Sequence, residues 1–382
     1  MTDYLARARA IAADLAALRH ALHRCPELGN REVRTAERIE AELNALGIPA
    51  RRMLDTAVVG TLTGGLPGKT VALRADMDAL PLVEATGADF TSENPGCMHA
   101  CGHDVHMTAA LGAARLLAAR RESLRGTVVF LFQPDEEGRG GAQRMIEAGV
   151  LSGVDAVFGA HVSPDIPLGD VGVRYGKFYA ASDTFKIDVR GVGAHAAERE
   201  KGVDALGAAA DIATRLIALP KGMPGERAVV TVGTLHAGTA ENALADAATL
   251  TGIIRTLGPD ARAELKRRFR ETVDATLSDW GATAQVELRE SYPGVVNDDG
   301  MTALAERAAR ELLGDGHVRV IDAPTMTTED FGYFLMERPG SFYHIGAGCS
   351  LPLHNPAFLP DDGAAVVAAA THCAVIEGFL GA

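Results

Sequence analysis

Met98-His-Ala-Cys-Gly-His-Asp-Val-His106 carries a thiol, three imidazoles and a carboxylate within nine residues. Cys101 and His103 are separated only by a glycine, which lets the backbone turn tightly between two potential ligands. Thiolate and imidazole groups suit Zn²⁺ and related ions, and Asp104 is a candidate to orient a ligand ring. We therefore expect the chain to be organised around a metal site here, although a loop whose Cys and His side chains only pack would contain the same residues.

Length and composition limit the class of protein. The 382 residues are 47% hydrophobic, which is enough for two compact domains with a full core each. The five cysteines are odd in number and scattered, which fits a reducing compartment better than a disulfide framework. No stretch reaches the length of a membrane span, and the N-terminus lacks the basic-then-apolar layout of a signal peptide, so we expect a soluble cytoplasmic protein. The net charge of −13 argues against a nucleic-acid partner and favours a small-molecule substrate.

The first part of the chain alternates helices with strands. Apolar residues at helical spacing predict the helices, and short runs rich in Val, Leu and Phe predict strands that are buried on both faces. The predicted helices span residues 4–23, 35–46, 107–119 and 142–147, and the predicted strands span 58–62, 70–74, 127–132 and 156–161. This alternation predicts an α/β fold, with a mostly parallel sheet and helices on both faces.

A second pattern begins near residue 182. Strands are predicted at 182–190, 227–235, 247–256 and 283–289, and helices at 202–219 and 259–280. This β-α-β-β-α-β order is the split βαβ unit of an α+β, ferredoxin-like domain. After residue 290 the first pattern returns, with helices at 301–313 and 362–379 and strands at 317–321 and 341–345. We therefore predict a discontinuous catalytic domain, residues 1–181 and 291–382, with an inserted domain at 182–290.

Polar side chains follow several strands of the predicted sheet. Asp76-Met-Asp78 follows one strand, Gln133-Pro-Asp-Glu-Glu-Gly138 follows another, and His161 ends a third. His354 lies in a loop after the last predicted strand. The carboxyl ends of parallel strands meet at one edge of a sheet, where such folds usually have their active sites. Grouped acids need a cation or solvent to neutralise them, so solvated turns are the alternative to a metal site.

Together these segments offer five metal ligands, namely Cys101, His103, Glu137, His161 and His354. One tetrahedral catalytic zinc uses fewer protein ligands, so two ions that share a ligand and a water fit better. Such a pair polarises a carbonyl and lowers the pKa of the shared water, which makes a metal-bound hydroxide available near neutral pH. Glu136 is the candidate general base, which takes the water's proton and returns it to the leaving amine. Asp78 is the candidate orienter of a ligand or of the bridging species.

Seven motifs occur in an order that matches a known family. They are Arg74-Ala-Asp-Met-Asp-Ala-Leu-Pro81, Met98-His-Ala-Cys-Gly-His-Asp104, Gln133-Pro-Asp-Glu-Glu-Gly138, Gly159-Ala-His161, Gly191-Val-Gly-Ala-His-Ala196, Glu329-Asp-Phe331 and Leu353-His-Asn-Pro-Ala-Phe358. With these motifs the sequence resembles the dinuclear metallopeptidase family of aminoacylases and glutamate carboxypeptidases. Its Cys-Gly-His motif resembles the amidohydrolase branch, which includes hippurate hydrolases, N-acyl-amino-acid deacylases and plant auxin-conjugate hydrolases.

The resemblance implies a catalytic domain with an inserted lid that forms a homodimer, two divalent metal ions, and hydrolysis of an amide to a carboxylate and an amino acid. The five ligands named above match the metal ligands of this branch, and Glu136 matches its general base. In the lid, His195 matches a histidine that reaches the active site of the neighbouring subunit and stabilises the oxyanion. Asn242 and Arg255 lie where the lid of the family supplies groups for the substrate carboxylate.

The sequence departs from the usual family pattern at two places. Asp135 replaces a small residue before the two glutamates, and a third acid here can raise the pKa of Glu136 or alter the metal preference. After Asn242 the family commonly has Val-Ile-Pro, whereas this chain has Ala243-Leu-Ala245. These differences leave open how the lid contacts the substrate.

Three functional hypotheses remain. The main one is a metal-dependent amidohydrolase that acts on N-acyl amino acids or related small conjugates. The second is a dipeptidase or carboxypeptidase of the same family, and the third is a catalytically silent protein that binds a metal or an amino-acid conjugate. The silent protein would need a lost base or ligand, whereas Glu136, Glu137 and His354 are all present. The donor types leave Zn²⁺, Mn²⁺, Co²⁺ and Ni²⁺ open as the metal.

Overall fold

The computed structural model describes residues 3–222 and 227–381. The chain divides into two compact units. The first comprises Met1–Gly176, Val296–Ala323 and Asp330–Ala382, and the second comprises Lys177–Val295 and Pro324–Glu329. Each unit is therefore built from more than one segment of the chain.

The strands and helices are numbered in chain order. The strands are β1 (Ala50–Met53), β2 (Ala57–Thr63), β3 (Leu66–Asp76), β4 (Arg125–Gln133), β5 (Ala156–Ser163), β6 (Val171–Val173), β7 (Gly176–Tyr179), β8 (Ala181–Arg190), β9 (Ala228–Ala237), β10 (Ala247–Thr256), β11 (Thr283–Glu290), β12 (Val295–Asn297), β13 (Val318–Val320) and β14 (Gly340–Gly346). The α-helices are α1 (Tyr4–Ala10), α2 (Ala12–His23), α3 (Val33–Ala45), α4 (His103–Ala118), α5 (Gly141–Glu147), α6 (Ala205–Ala218), α7 (Pro259–Trp280), α8 (Asp299–Leu313), α9 (Gly332–Glu337) and α10 (Asp362–Leu380). Short 3₁₀ helices span Arg121–Ser123, Arg199–Lys201, Leu219–Gly222 and Asp315–His317.

The first unit is built on an eight-stranded sheet with the order β1-β2-β4-β3-β5-β14-β6-β13. The neighbours within β4-β3-β5-β14 are parallel, as are β6 and β13, whereas the remaining pairs are antiparallel. All eight residues of β5 are buried, as expected for a parallel strand that is covered on both faces. The predicted α/β fold with a mostly parallel sheet is confirmed.

Helix α10 lies in the core of the first unit, where it packs against α4, α8 and α1. It is 19 residues long and, by length and composition, apolar enough to cross a membrane. The expectation that no stretch reaches this length is therefore wrong. Because 83% of its most apolar segment is buried inside the protein, packing within the core accounts for the composition of this helix.

The second unit contains a four-stranded antiparallel sheet with the order β11-β8-β10-β9. Its helices α6 and α7 bury apolar residues together with the sheet, among them Ile187, Ile212, Leu250 and Phe269. Along the chain the elements follow the order β8-α6-β9-β10-α7-β11, which is the β-α-β-β-α-β order expected from the sequence. The role of this unit as a lid and dimerisation domain stays a prediction.

Two predicted helices in the first unit differ from the observed ones by more than two residues. The predicted helix 4–23 is interrupted at Ile11, whose φ of −110° and ψ of 14° end α1 before α2 begins. Helix α4 begins at His103, four residues before its predicted start, because the turn at Gly102 leads directly into it. This second difference puts a candidate ligand on the first residue of a helix.

Candidate metal centre

The candidate site collects side chains from the ends of the parallel strands of the first unit. β3 is followed by Asp78, β4 is followed by Glu136, and His161 lies within β5. The first residue of α4 is His103, and the loop after β14 carries His354. The parallel sheet therefore brings together polar groups that are far apart in the sequence.

Gly102 turns the chain between Cys101 and His103. Its φ of +85° lies in the left-handed region, directly before the first residue of α4. A Cβ atom at this position would lie 2.4 Å from Cγ2 of the buried Val162. Both the backbone conformation and the available space therefore require glycine between the thiol and the imidazole.

The imidazoles of His103 and His161 are each fixed through one nitrogen. Nδ1 of His103 donates to the carbonyl oxygen of Asp78 at 2.8 Å, and Nδ1 of His161 donates to the carbonyl oxygen of Val162 at 2.7 Å. Nε2 of His161 lies 3.3 Å from Sγ of Cys101. The buried Nε2 of His103 has no hydrogen-bond partner among the described residues. A backbone carbonyl on one ring nitrogen and a free lone pair on the other are typical of metal-binding histidines.

Glu137 and His354 form a second pair of candidate ligands. Nε2 of His354 lies 3.0 Å from Oε1 of Glu137. The backbone N–H of His354 donates to the carbonyl oxygen of Ala100 at 2.9 Å, which ties this loop to the segment that carries Cys101. The side chain of His354 is 52% exposed and that of Glu137 is 17% exposed, so this part of the site faces solvent.

The thiol of Cys101 belongs to two sets of donor atoms. It lies within 4.8 Å of donor atoms of His103 and His161, which are equally close to each other. It also forms a set of the same size with Glu137 and His354. The structure thus brings all five predicted ligands together, with the thiol common to both sets.

Asp78 holds the two consecutive glutamates through their backbone. The N–H of Glu136 donates to Oδ1 of Asp78 at 3.0 Å, and the N–H of Glu137 donates to Oδ2 at 2.9 Å. Oε1 of Glu136 accepts a hydrogen bond from the N–H of Asp330 at 3.4 Å. Glu136 also has a carboxylate oxygen within 4.8 Å of donor atoms of His103 and Glu137. The predicted base therefore lies beside two predicted ligands, and Asp78 contacts its backbone.

Burial and negative charge dominate the electrostatics of the site. Burial raises the pKa of the Cys101 thiol well above its usual value, and the carboxylate of Glu137 raises it further. Burial lowers the pKa of His103, but the carboxylates of Asp76 and Asp78 outweigh this effect and raise the pKa to about 10. A divalent cation opposes both shifts, because it stabilises a thiolate and a neutral imidazole. The donor types, their orientation and this charge therefore fit divalent metal ions.

A buried network beside the site was not predicted from the sequence. Nδ1 of His106 donates to Oδ1 of Asp76 at 2.6 Å, and the N–H of Val162 donates to Nε2 of His106 at 2.9 Å. Arg74 donates to Oδ2 of Asp76 at 2.6 Å and to Oδ1 of Asp330 at 2.8 Å. The network joins β3 to β5 and to the segment after residue 329. The presence of Arg74, Asp76 and Asp330 in the family motifs was the available signal.

Two acids in the predicted motifs bind residues outside the donor sets. The prediction that Asp104 orients a ligand ring is wrong, because its Oδ2 accepts hydrogen bonds from Arg19 at 3.0 Å and from His23 at 2.9 Å, both in α2. Asp135 is not part of any donor set among the described residues. Its Oδ2 instead accepts a hydrogen bond from Nδ2 of Asn30 at 2.5 Å. Asp135 is therefore not among the candidate ligands, and its effect on the pKa of Glu136 or on the metal preference stays a prediction.

His195 and Asn242 lie in neighbouring loops of the second unit. The N–H of Ala196 donates to the carbonyl oxygen of Asn242 at 3.0 Å. The N–H of Ala197 donates to Nδ1 of His195 at 3.1 Å, so Nε2 of this exposed ring carries the proton and is available as a donor. The role of both residues towards a substrate stays a prediction.

Arg255 lies on β10 of the second unit, opposite Ser182 of β8. Its guanidinium donates to the hydroxyl of Ser182, and burial lowers the pKa of Arg255. The nearby carboxylate of Asp183 opposes this shift, and because the hydrogen-bond partner of Arg255 is a neutral hydroxyl, the guanidinium keeps donors that can bind an anion. Its predicted contact with a substrate carboxylate stays a prediction.

Comparisons with known proteins agree on one family. The model of Peptidase family M20/M25/M40 matches residues 72–377. The chain is similar to an N-acetyl-L-cysteine deacetylase of Bacillus subtilis (strain 168), at 38% identity over 93% of this chain and 85% of that protein. It is also similar to thermostable carboxypeptidase 1 of Saccharolobus solfataricus, at 36% identity over 95% of this chain and 94% of that protein. The crystal structure of the Bacillus subtilis YXEP protein, described as a dinuclear metal binding peptidase from the M20 family, matches with a TM-score of 0.88 and 35% identity, over 98% of this chain and 99% of that one.

Proposed function

Because the chain belongs to the peptidase family M20/M25/M40, we propose that it is a metal-dependent amidohydrolase that cleaves N-acyl amino acids, or related small conjugates, to a carboxylate and an amino acid. The observation that carries this proposal is the thiol of Cys101, which is common to two sets of donor atoms, with Glu136 beside them. The relative named as an N-acetyl-L-cysteine deacetylase supports the amide of an N-acylated amino acid as the bond that is cleaved.

The proposed ligands of two divalent ions are Cys101, His103, His161, Glu137 and His354. When bound, two such ions would supply Lewis-acid chemistry for the substrate carbonyl and would make a water molecule easier to deprotonate. Carbonyl oxygens accept from Nδ1 of His103 and of His161, so the Nε2 atoms of both rings face the donor set, that of His161 beside the thiol of Cys101. Thiolate, imidazole and carboxylate together suit Zn²⁺, Mn²⁺, Co²⁺ or Ni²⁺.

Glu136 is the proposed general base. It takes a proton from the attacking water and passes it to the nitrogen of the leaving amino acid, which leaves as a neutral amine. Asp78 fixes the backbone of Glu136, and the N–H of Asp330 holds Oε1 on one side. These contacts restrict the orientation of the Glu136 carboxylate. The restriction lowers the entropic cost of reaching the geometry in which it accepts the proton.

The second unit supplies the remaining groups in this proposal. His195 donates from Nε2 to the oxyanion, and Asn242 and Arg255 bind the substrate carboxylate. Residues 182–290 form a lid through which two chains associate as a homodimer, and the enzyme acts in the cytoplasm on a small-molecule substrate. The available Nε2 donor of His195 and the half-buried charge of Arg255 support these roles.

Metal content and turnover test the proposal together. We expect two ions per chain and hydrolysis of at least one member of a panel of N-acyl amino acids. Chelation should abolish turnover, and re-addition of one of the four candidate metals should restore it. A protein that takes up no metal under any loading would overturn the site, and a loaded protein that hydrolyses no amide would favour a silent binding protein.

A dipeptidase or carboxypeptidase is the second candidate. The similarity to a protein named thermostable carboxypeptidase 1 favours it. The two functions differ in whether the group on the acyl side must carry a free or blocked amine. Product analysis on dipeptides and their N-acetyl forms separates them: release of acetate supports the deacylase, and cleavage of the peptide bond supports the alternative.

A further inference from the structure

We propose that Asp135 and Asn30 form a hydrogen-bonded lock that positions Glu136 for the reaction. Both are positioning residues, because they act on the loop that carries the base and belong to none of the donor sets in the described chain. The inference rests on the proposed function, in which Glu136 is the base. It gives a role to the acid that stands where the resembling family usually has a small residue.

The backbone of Asp135 determines where the following residues lie. Its φ is +57°, a left-handed conformation that Asp and Asn adopt more readily than other residues with a Cβ atom. The N–H of Asp135 donates to the buried carboxylate of Glu32 at 3.0 Å, and its carbonyl oxygen accepts from the N–H of Gly140 at 3.0 Å. The next two N–H groups, those of Glu136 and Glu137, both donate to Asp78. The conformation at Asp135 therefore sets the direction of the base and of a ligand together.

The carboxylate of Asp135 fills a narrow space beside the loop. Its Oδ2 accepts from Nδ2 of Asn30 at 2.5 Å and from the N–H of Arg139 at 3.3 Å. A Cβ atom at either Gly29 or Gly138 would lie 2.1 Å from Oδ1. The two glycines thus leave room for this carboxylate, which reaches Asn30.

Asn30 connects the carboxylate to a second element. Its own φ is +62°, and its Oδ1 accepts a hydrogen bond from Arg144 of α5. The loop 134–140 precedes α5, so the Asp135–Asn30 pair ties the loop both to the segment after α2 and to the helix that follows. Loosening this pair should let the carboxylate of Glu136 move by a fraction of an ångström, which is enough to slow a proton transfer.

The pair can be tested by breaking it and then restoring it. Asn30→Asp puts two carboxylates against each other, whereas Asn30→Asp with Asp135→Asn restores an amide opposite a carboxylate; both residue types tolerate the positive φ. In the metal-loaded enzyme we expect Asn30→Asp to lower kcat by about tenfold with little change in KM, and the double variant to return to within about threefold of wild type. Asn44→Asp, the same change at an exposed residue of α3, should leave kcat unchanged.

A second readout separates the lock from the proposed function. With Co²⁺ bound, the visible spectrum reports ligand geometry, so Asn30→Asp should shift the bands through Glu137 and the double variant should restore them. If the wild type hydrolyses no amide, the proposed function fails, and the Co²⁺ spectra still decide whether the lock exists. The proposal would be overturned if Asn30→Asp had the kcat and the Co²⁺ spectrum of the wild type. It would also be overturned if the double variant were as impaired as the single one.

If Asn30→Asp does not fold, Asp135→Ala and Asp55→Ala form the next matched pair. Both remove an aspartate at a positive φ, +57° and +65°, so they share the same backbone strain. We expect only Asp135→Ala to lower kcat by about tenfold at a temperature where both variants are folded. If the two variants had equal kcat values and Asp135→Ala only a lower melting temperature, Asp135 would have a structural role only, and the proposal would be wrong.

Discussion

Glu136 and Glu137 are neighbours in the sequence, but their carboxylates have different partners. Glu137 lies 3.0 Å from Nε2 of His354, whereas Glu136 accepts a hydrogen bond from the N–H of Asp330. Glu136→Gln keeps the shape and the backbone contact with Asp78 but removes the basicity. We therefore expect kcat to fall by about 10²–10⁴, with two metal ions still bound per chain. Steady-state kinetics and metal analysis check this, with the exposed Glu147→Gln as control; turnover near the wild-type rate in Glu136→Gln would remove the base from the mechanism.

The buried carboxyl of Glu32 should make the stability of the protein depend on pH. Burial raises the pKa of Glu32 from 4.5 to about 7. Between these values the folded protein keeps a proton that the unfolded chain loses, so the unfolded state binds fewer protons and stability falls as the pH rises. The shift corresponds to about 3 kcal/mol, at about 1.4 kcal/mol per pKa unit.

Glu32→Gln should remove this decline, because the amide cannot ionise and still offers an oxygen to the N–H of Asp135. The free energy of unfolding of both proteins, measured in urea at pH 5 and pH 8 without metal, checks this. We expect the variant to gain stability relative to wild type on going from pH 5 to pH 8. An equal difference between the two proteins at both pH values would mean that Glu32 does not titrate in this range.

Among the single elements, the sequence predicted best the helices and strands whose apolar residues recur at a regular spacing. The predicted strands that correspond to β3, β4 and β5 are short runs rich in apolar and β-branched residues, and polar groups of the site lie at or just beyond their ends. The three-residue strands β6 and β12 show no periodic pattern and were not predicted, whereas β13 lies within the predicted strand 317–321. The backbone conformation of Asp135 could not be predicted either, because a positive φ at a residue with a Cβ atom depends on tertiary contacts.

The glycine turn before α4 should be required for metal binding. Gly102→Ala adds a Cβ 2.4 Å from Val162 at a φ of +85°, so the turn must change and should separate the thiol of Cys101 from the imidazole of His103. Gly96→Ala is the matched control, because its φ is +80° and nothing lies within 4 Å of the added atom. We expect Gly102→Ala to lose metal and activity and Gly96→Ala to lose only about 1 kcal/mol of stability. Metal retention in Gly102→Ala would show that the turn does not set the ligand geometry.

The molecule as a whole combines a unit with a complete set of candidate ligands and a unit that the sequence predicts to be a lid. All five ligands and the base lie in the first unit, whereas His195 lies in the second. Metal binding should therefore be insensitive to changes at His195, although the rate should not be. The order of the motifs along the chain predicted that the ligands and His195 lie in different units. Whether His195 acts in its own chain or in the neighbouring subunit depends on how two chains associate.

Mixed dimers test whether the proposed homodimer shares its active sites. His195→Ala alone and Glu136→Ala alone should each be nearly inactive while keeping their metals. If His195 acts on the neighbouring subunit, a dimer with one chain of each kind has one intact site, because Glu136 of one chain meets His195 of the other. Random pairing of equal amounts gives half mixed dimers, so co-expression should restore about a quarter of the wild-type activity. Activity no higher than the mean of the two variants would mean that each chain uses its own histidine or that the chains do not pair.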